Sequence, residues 1–246
     1  MPRFFVDKKN IQGDCISITG SEAHHMGTVR RLRINDAVTL FDQDGTVYEG
    51  KIVEKNNQCV HVLIKEKTPF VHNDGIPVVL GQSIPKGKKM DLIVQKAAEL
   101  GAASIIPFYS IRSIPRFNAK KSVEKTEHWQ KICVEAGKQS GRLPIPIVEQ
   151  VLNFNELVKR KYDGFLKIIL WEEEKEQQLK VVLRQNSIPK PMLFLVGPEG
   201  GFTKGEVELA VQNGFISVSL GQTVLRTETV SIAMLSILQY EAGAFG

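Results

Sequence analysis

The chain has 246 residues, 42% hydrophobic and 24% charged, a composition of soluble proteins and a length that allows one large domain or a large and a small one. No apolar run approaches the roughly 20 residues that cross a bilayer, and the opening "MPRFFVDKKN" has no signal-peptide core, so a cytoplasmic protein without a membrane partner is expected. The formal charge of +5 is regional: residues 73–142 carry twelve Lys and Arg against six Asp and Glu, residues 143–246 ten against twelve, and basic excess on several segments points to a polyanionic partner.

From Phe4 to about Val71 the apolar residues alternate with period two. "AVTLFDQDGTVYEGKIVEKNNQCVHVLIKEK" predicts three strands, with turns at Asp44-Gly45 and Asn56-Asn57. A short helix is expected from Ser21, and the segment as a whole reads as a small β-rich domain, a barrel closed by that helix. "TPFVHNDGIP" has the composition of a linker. Cys15, Cys59 and Cys133 are odd in number and lack a CxxC pair, and the histidines form no ligand pattern, so neither disulfides nor a metal site is expected.

After Gly75 the rhythm becomes strand, helix, strand, helix. "PVVLGQ" precedes "KKMDLIVQKAAELG", where Met90, Ile93, Val94, Ala97 and Leu100 fall at helical spacing and Gly101 is a stop. "ASIIPF", "IPIVEQ", "LKIILW", "PMLFLV" and "FISVSL" are the further strands. "KTEHWQKICVEAGKQS", "NFNELVKRKY", "EKEQQLKVVLRQ", "TKGEVELAVQNG" and "TVSIAMLSILQYEAG" are the further helices. Six such repeats call for a mostly parallel sheet covered on both faces, with ligands at the carboxyl ends of its strands.

Two loops at those ends are rich in glycine. "LVGPEGGFTKGE" leads into a helix through a T-x-x-E capping box, Thr203 to Glu206, which already satisfies the first helical amides and leaves little for a phosphate to bind. Neither GxGxxG nor GxxxxGK[ST] occurs: in "LGQSIPKGKK" the glycines are one residue too far apart, and Lys89 stands where a metal-binding hydroxyl is needed. The second loop, "SLGQTVLRTETVSIAML", breaks at Gly221 and enters the last helix. Two close-approach loops in successive βα units read as two walls of one pocket.

Those two segments, in order with "MPRFFV", "HHMGTVRRL", "QKAAELGAASIIPF", "WQKICVEAGKQSGR" and "LWEEE", resemble the RsmE family of SPOUT (alpha/beta-knot) RNA methyltransferases over nearly the whole chain. The resemblance implies a PUA-like β-barrel at residues 1–72 that binds RNA, and at residues 73–246 a parallel-sheet SPOUT domain with a C-terminal trefoil knot. It also implies S-adenosyl-L-methionine as cofactor, a homodimer, and methylation of uracil N3 in small-subunit (16S) ribosomal RNA, free or in the assembled subunit. Two departures stand out: Gly137 and Lys138 precede Gln139 where the family pattern is EAxEQSGR, and Val230 follows the TET, where Ala is frequent.

Carried over by position, the resemblance assigns the cofactor to Leu170, to Val196, Gly197, Pro198, Glu199, Gly200 and Gly201, and to Leu220, Gly221, Leu225, Arg226 and Thr227. Loops of small residues with leucines suit a flat adenine that needs apolar faces and backbone hydrogen bonds. Uracil N3 carries a proton, so a cation that stabilises the resulting anion is required, and Arg226 is the candidate by motif. Glu228 or Glu199 could take the proton, or either could anchor its loop. RNA phosphates are assigned to Arg3, Arg30, Arg31, Arg33, Lys86, Lys88, Lys89, Arg112, Arg116 and Arg142. A non-catalytic RNA-binding module and another nucleotide enzyme on a doubly wound sheet are the rival readings.

Overall fold

The computed structural model describes residues 3–56, 58–69, 76–186 and 190–245. Two compact units divide the chain: Met1–His72 together with Gly137–Ile145, and Asn73–Ala136 together with Pro146–Gly246.

The first unit is a six-stranded sheet of β1 (Arg3–Phe5), β2 (Ile11–Gln12), β3 (Cys15–Thr19), β4 (Ala37–Phe41), β5 (Val47–Lys55) and β6 (Cys59–Thr68), in the order β1-β4-β5-β6-β3-β2. Only β1 and β4 run parallel. Alternation does what the sequence predicts: along β5, Tyr48 and Ile52 point inward to join Phe4, Ile16, Leu40 and Val62, while Glu49 and Lys51 face out. Helix α1 (Gly20–His24) continues into a π-helical turn, His25–Val29, and contributes Ala23 and Met26 to the same core. At the Asp44-Gly45 turn, Gly45 has φ 84° and the Asp42 carboxylate accepts from the Asp44 and Thr46 amides at 3.0 Å. Asn56 Oδ1 closes the next turn by accepting from the Gln58 and Cys59 amides, whereas Asn57 and most of the linker, residues 70–75, lie outside the described residues.

The departure at Gly137 and Lys138 has a packing reason. A Cβ at Gly137 would overlap the Ile145 side chain and press on the Arg142 carbonyl, and Lys138 is ion-paired with Glu22. Both contacts lie within the first unit.

The second unit runs β7 (Val78–Ser83), α2 (Lys89–Glu99), β8 (Ser104–Tyr109), α3 (Ala119–Ser140), β9 (Ile147–Val148), β10 (Leu152–Asn153), α4 (Phe154–Lys159), β11 (Leu166–Leu170), α5 (Leu179–Gln185), β12 (Met192–Val196), α6 (Lys204–Gln212), β13 (Ile216–Val218) and α7 (Thr227–Glu241). Every strand pairing is parallel, in the order β10-β8-β7-β12-β11-β13 with β9 also on β8. β12 is buried at all five residues, "MLFLV", the continuous apolar run expected of a parallel strand covered on both faces. From β13, α7 returns to pack on α2, β7 and β12, so the chain end crosses from one side of the sheet to its middle.

Several boundaries differ from the sequence expectation, two of them for a local reason. α3 starts at Ala119 rather than Lys125, because Asn118 Oδ1 accepts from the Lys121 amide and caps it. α5 starts only at Leu179, since the Glu174 carboxylate accepts from the Glu176 and Gln177 amides and holds that stretch as a turn. "IPIVEQ" ends as a strand at Val148, and the chain pairs with β8 again at Leu152.

Candidate active site

A cavity of about 510 Å³ opens at the carboxyl ends of β11, β12 and β13. Its walls are Leu170, Trp171 and Glu172 after β11, Val196 to Glu199 with Gly201 after β12, and Val218 to Thr227 after β13, with Val230 of α7 and Lys89 of α2. The two glycine loops therefore face one space. Of the residues assigned to the cofactor from sequence, all but Gly200 line it; the Gly200 carbonyl instead accepts from Arg112 Nη1 at 2.6 Å.

The β12 wall is built tightly. Thr203 and Glu206 form the expected capping box, the Thr203 side chain accepting from the Glu206 amide and the Glu206 carboxylate from the Thr203 amide at 2.9 Å. The other Glu206 oxygen accepts from the Ile111 amide at 2.8 Å, so the buried carboxylate also fastens the loop after β8. Gly201 has φ 66°, and a Cβ there would run into the Glu172 carboxylate; a Cβ at Gly197 would lie 3.2–3.3 Å from the Gly201 backbone and the buried Phe202 ring.

A buried polar chain holds the last helix to this wall. Thr227 donates to the Gly197 carbonyl at 2.7 Å and accepts from Gln82 Nε2 at 3.1 Å, while Gln82 Oε1 accepts from the Ser231 hydroxyl at 2.5 Å. In a dry interior each member depends on the others, because an unpaired buried donor costs about 1–3 kcal/mol.

The mouth carries both signs of charge. Glu199 accepts from Lys89 Nζ at 2.9 Å and from the Lys86 amide at 3.1 Å. Burial alone would raise the Glu199 carboxyl, but the hydrogen bonds from Lys89 and from the Lys86 and Glu199 amides outweigh it and hold the group below the ordinary carboxylate value. Lys89 is raised in turn, first by Glu199, against the like charge of Arg226 nearby. Glu228 is 14% exposed at its side chain and does not line the cavity; its Oε2 lies 3.7 Å from Lys89 Nζ, an ion-pair distance too long for a hydrogen bond. Arg226 lines the cavity, exposed, at the N-cap of α7.

The cations assigned to RNA fall into separate groups. Lys86 and Lys88 are exposed beside Glu199, and Arg112 and Arg116 on the loop after β8. Lys89 is committed to the cavity. In the first unit Arg30, Arg31 and Arg33 are exposed on one turn, where Arg31 has φ 52°, and Arg3 donates to the Gly141 carbonyl beside the half-buried Arg142. Among the described residues no helix is long and apolar enough to cross a membrane, and no three His, Cys, Asp or Glu side chains converge on a metal-sized site.

Residues 72–239 match the family model of an RNA methyltransferase domain, and residues 18–65 that of an RNA methyltransferase PUA domain. The ribosomal RNA small subunit methyltransferase E of Bacillus subtilis is 35% identical over 98% of this chain and 97% of its own. The chain belongs to that methyltransferase E family. Its fold is that of the Neisseria gonorrhoeae member bound to S-adenosyl methionine, with a TM-score of 0.84 and 29% identity over 98% of this chain and 97% of that one. A Legionella pneumophila structure described as a methyltransferase in complex with bound SAM gives a TM-score of 0.85 and 30% identity, covering 97% of each chain.

Sequence reading missed several residues at or behind this cavity. Trp171 lines the cavity, and its indole N–H is buried without a hydrogen-bond partner among the described residues. Gln82 and Ser231 are internal to the polar chain, and Glu172 backs Gly201. Only "LWEEE", quoted for the family likeness, hinted at Trp171 and Glu172. Gln82 carried no signal, since a buried amide at the end of an apolar strand looks like any strand terminus.

Proposed function

We propose that this chain transfers a methyl group from S-adenosyl-L-methionine to N3 of a uridine in small-subunit (16S) ribosomal RNA. The observation that carries the reading is one cavity walled by two glycine loops in a member of the methyltransferase E family, of a size that suits a nucleoside-sized ligand. The residues fit the cofactor. Gly197 and Gly201 leave bare backbone on one wall, and Leu170, Leu220 and Leu225 supply apolar faces. The sequence has neither a GxGxxG nor a GxxxxGK[ST] phosphate loop, which disfavours the nucleotide-enzyme rival.

When bound, the cofactor supplies an electrophilic methyl carbon on a positively charged sulfur. The chain's own residues then have three tasks. The rigid β12 wall orients, a contribution that turns on small displacements. Arg226 stabilises negative charge on the uracil oxygens as the N3 proton passes to solvent water and the N3 lone pair becomes available. Glu199, already paired with Lys89 and held low, is a poor proton acceptor and serves as the tie between its loop and α2. Glu228, facing Lys89 at 3.7 Å, keeps that lysine in position, the anchoring alternative to the role of base.

The RNA is held by the exposed arginines and lysines of both units, and the chain works as a cytoplasmic homodimer. Exposed Ile237 and Tyr240 on α7 and Val181 on α5 are apolar surface that supports self-association. The experiment is transfer of tritiated methyl to small subunits reconstituted from unmodified transcribed RNA, with nucleoside analysis of the product. N3-methyluridine is expected. Arg226→Ala is expected to lower kcat by about 100-fold, a loss typical of an anion-stabilising donor, with cofactor affinity retained. Near wild-type transfer by that variant would remove Arg226 from the chemistry.

A further inference from the structure

The loop after β8, "SIRSIPR" from Ser110 to Arg116, is fastened at almost every residue, yet it presents two large aliphatic side chains to solvent. Ser110 and Ser113 are buried; Ser113 Oγ accepts from the Ser110 amide at 3.0 Å and bonds Ser83 Oγ at 2.8 Å. The Ile111 amide is held by Glu206, and Arg116 donates to the Ser110 carbonyl at 2.9 Å while its guanidinium stacks 4.8 Å from the Tyr109 ring centre. Ile111 and Ile114 are nonetheless 68% and 64% exposed. Looseness does not explain that exposure, because the backbone beneath has its bonds made. A single exposed isoleucine is ordinary, whereas two on one rigid turn mark a contact surface.

The position of the turn and its charge name the partner. Arg112 donates to the Gly200 carbonyl at 2.6 Å with its stem laid against Gly200, so the turn is clipped to the glycine loop that walls the cavity. From Ser110 to Lys121 the chain has two arginines, two lysines and no acidic residue, and exposed Lys86 and Lys88 precede α2. Aliphatic side chains set among guanidinium groups suit a nucleic acid, whose phosphates take the cations and whose stacked bases accept an apolar insertion.

We propose that Ile111 and Ile114 form an aliphatic wedge that enters the RNA stack beside the target nucleotide and fills the gap left when that nucleotide turns into the cavity. The inference rests on the methyltransferase reading above. N3 lies on the pairing edge of uracil, so the base must leave its stack or pair to be reached, and a wedge lowers the cost of that vacancy. Arg112 and Arg116 hold the adjoining phosphates.

The test is Ile111→Ser/Ile114→Ser against Ile111→Leu/Ile114→Leu, with tritiated S-adenosylmethionine and small subunits reconstituted from unmodified transcribed RNA. Both pairs are exposed, so the loop's hydrogen bonds are untouched. The serine variant is expected to lose about tenfold or more in kcat, 1.36 kcal/mol of barrier per tenfold. Its calorimetric affinity for the cofactor and the salt slope of its RNA binding stay as in the wild type, and the leucine variant keeps its rate. Wild-type turnover by the serine variant overturns the wedge and leaves the methyltransferase reading standing. Dissociation of a dimer in sedimentation assigns the pair to self-association and overturns the wedge too. Failure of the wild-type chain to transfer methyl overturns both.

Discussion

The two loops that face each other across the cavity are built in opposite ways. The wall after β12 is tied down by the capping box, by Thr227 on the Gly197 carbonyl, by Arg112 on the Gly200 carbonyl and by Lys89 on Glu199. The wall after β13 has little of this. Ser219 Oγ bonds the Gly221 amide and carbonyl, a Cβ at Gly221 would meet nothing within 4 Å, and Val224 is 78% exposed. Among the described residues the wall after β12 is held by side chains from three other elements, whereas Ser219 and Gly221 of the wall after β13 bond each other. Binding energy spent on ordering the open loop is lost from affinity, whereas the rigid wall costs nothing further when occupied.

The same substitution on both walls breaks or sharpens this contrast. Gly201→Ala puts a side chain into a left-handed conformation at a cost of about 1–2 kcal/mol, and its methyl displaces the Glu172 carboxylate from the cavity wall. A loss of roughly 100-fold in cofactor affinity by calorimetry, about 2.7 kcal/mol, is expected. Gly221→Ala also strains its backbone, at φ 118°, but in a loop free to relax, and the loss is expected to stay within about tenfold. Equal losses at the two positions would mean that both walls are equally rigid.

Gln82→Ala reaches the rigid wall from behind. It removes one hydrogen bond each from Thr227 and Ser231, which keep their bonds to the Gly197 and Thr227 carbonyls, and two such bonds at about 0.5–1.5 kcal/mol each cost about 1–3 kcal/mol of stability by denaturant melting. Cofactor affinity is expected to fall by less than at Gly201, because the Thr227 bond to Gly197 remains. An unchanged melt would show that the polar chain carries no load.

The glycine loops, the capping box and the Thr227 turn were legible because each signal is local: glycine at a strand end, Thr and Glu three apart, a turn entering an amphipathic helix. What was hidden lies between residues distant in sequence. Lys89 read as a cation for phosphate, but Glu199, more than a hundred residues on, takes its ammonium. Glu228 read as a base or as a loop anchor, and its Oε2 stands 3.7 Å from Lys89 Nζ, a pairing with no trace in the sequence. The clip of Arg112 to Gly200 and the amide of Ile111 on Glu206 likewise have no trace in periodicity. Among secondary elements the two largest errors sit at starts, where one side chain decides: Asn118 at α3 and Glu174 before α5.

The most direct measurement is the thermal midpoint of the chain with S-adenosylmethionine, S-adenosylhomocysteine, NAD or ATP. At about 100 times its dissociation constant a ligand of the folded state adds ~2.7 kcal/mol, which corresponds to a rise of roughly 5–10 °C for a chain of this size. Both adenosyl compounds are predicted to give that rise and NAD and ATP to give none. No rise with either adenosyl compound, or an equal rise with ATP, would contradict a pocket made by the two glycine loops for a nucleoside sulfonium.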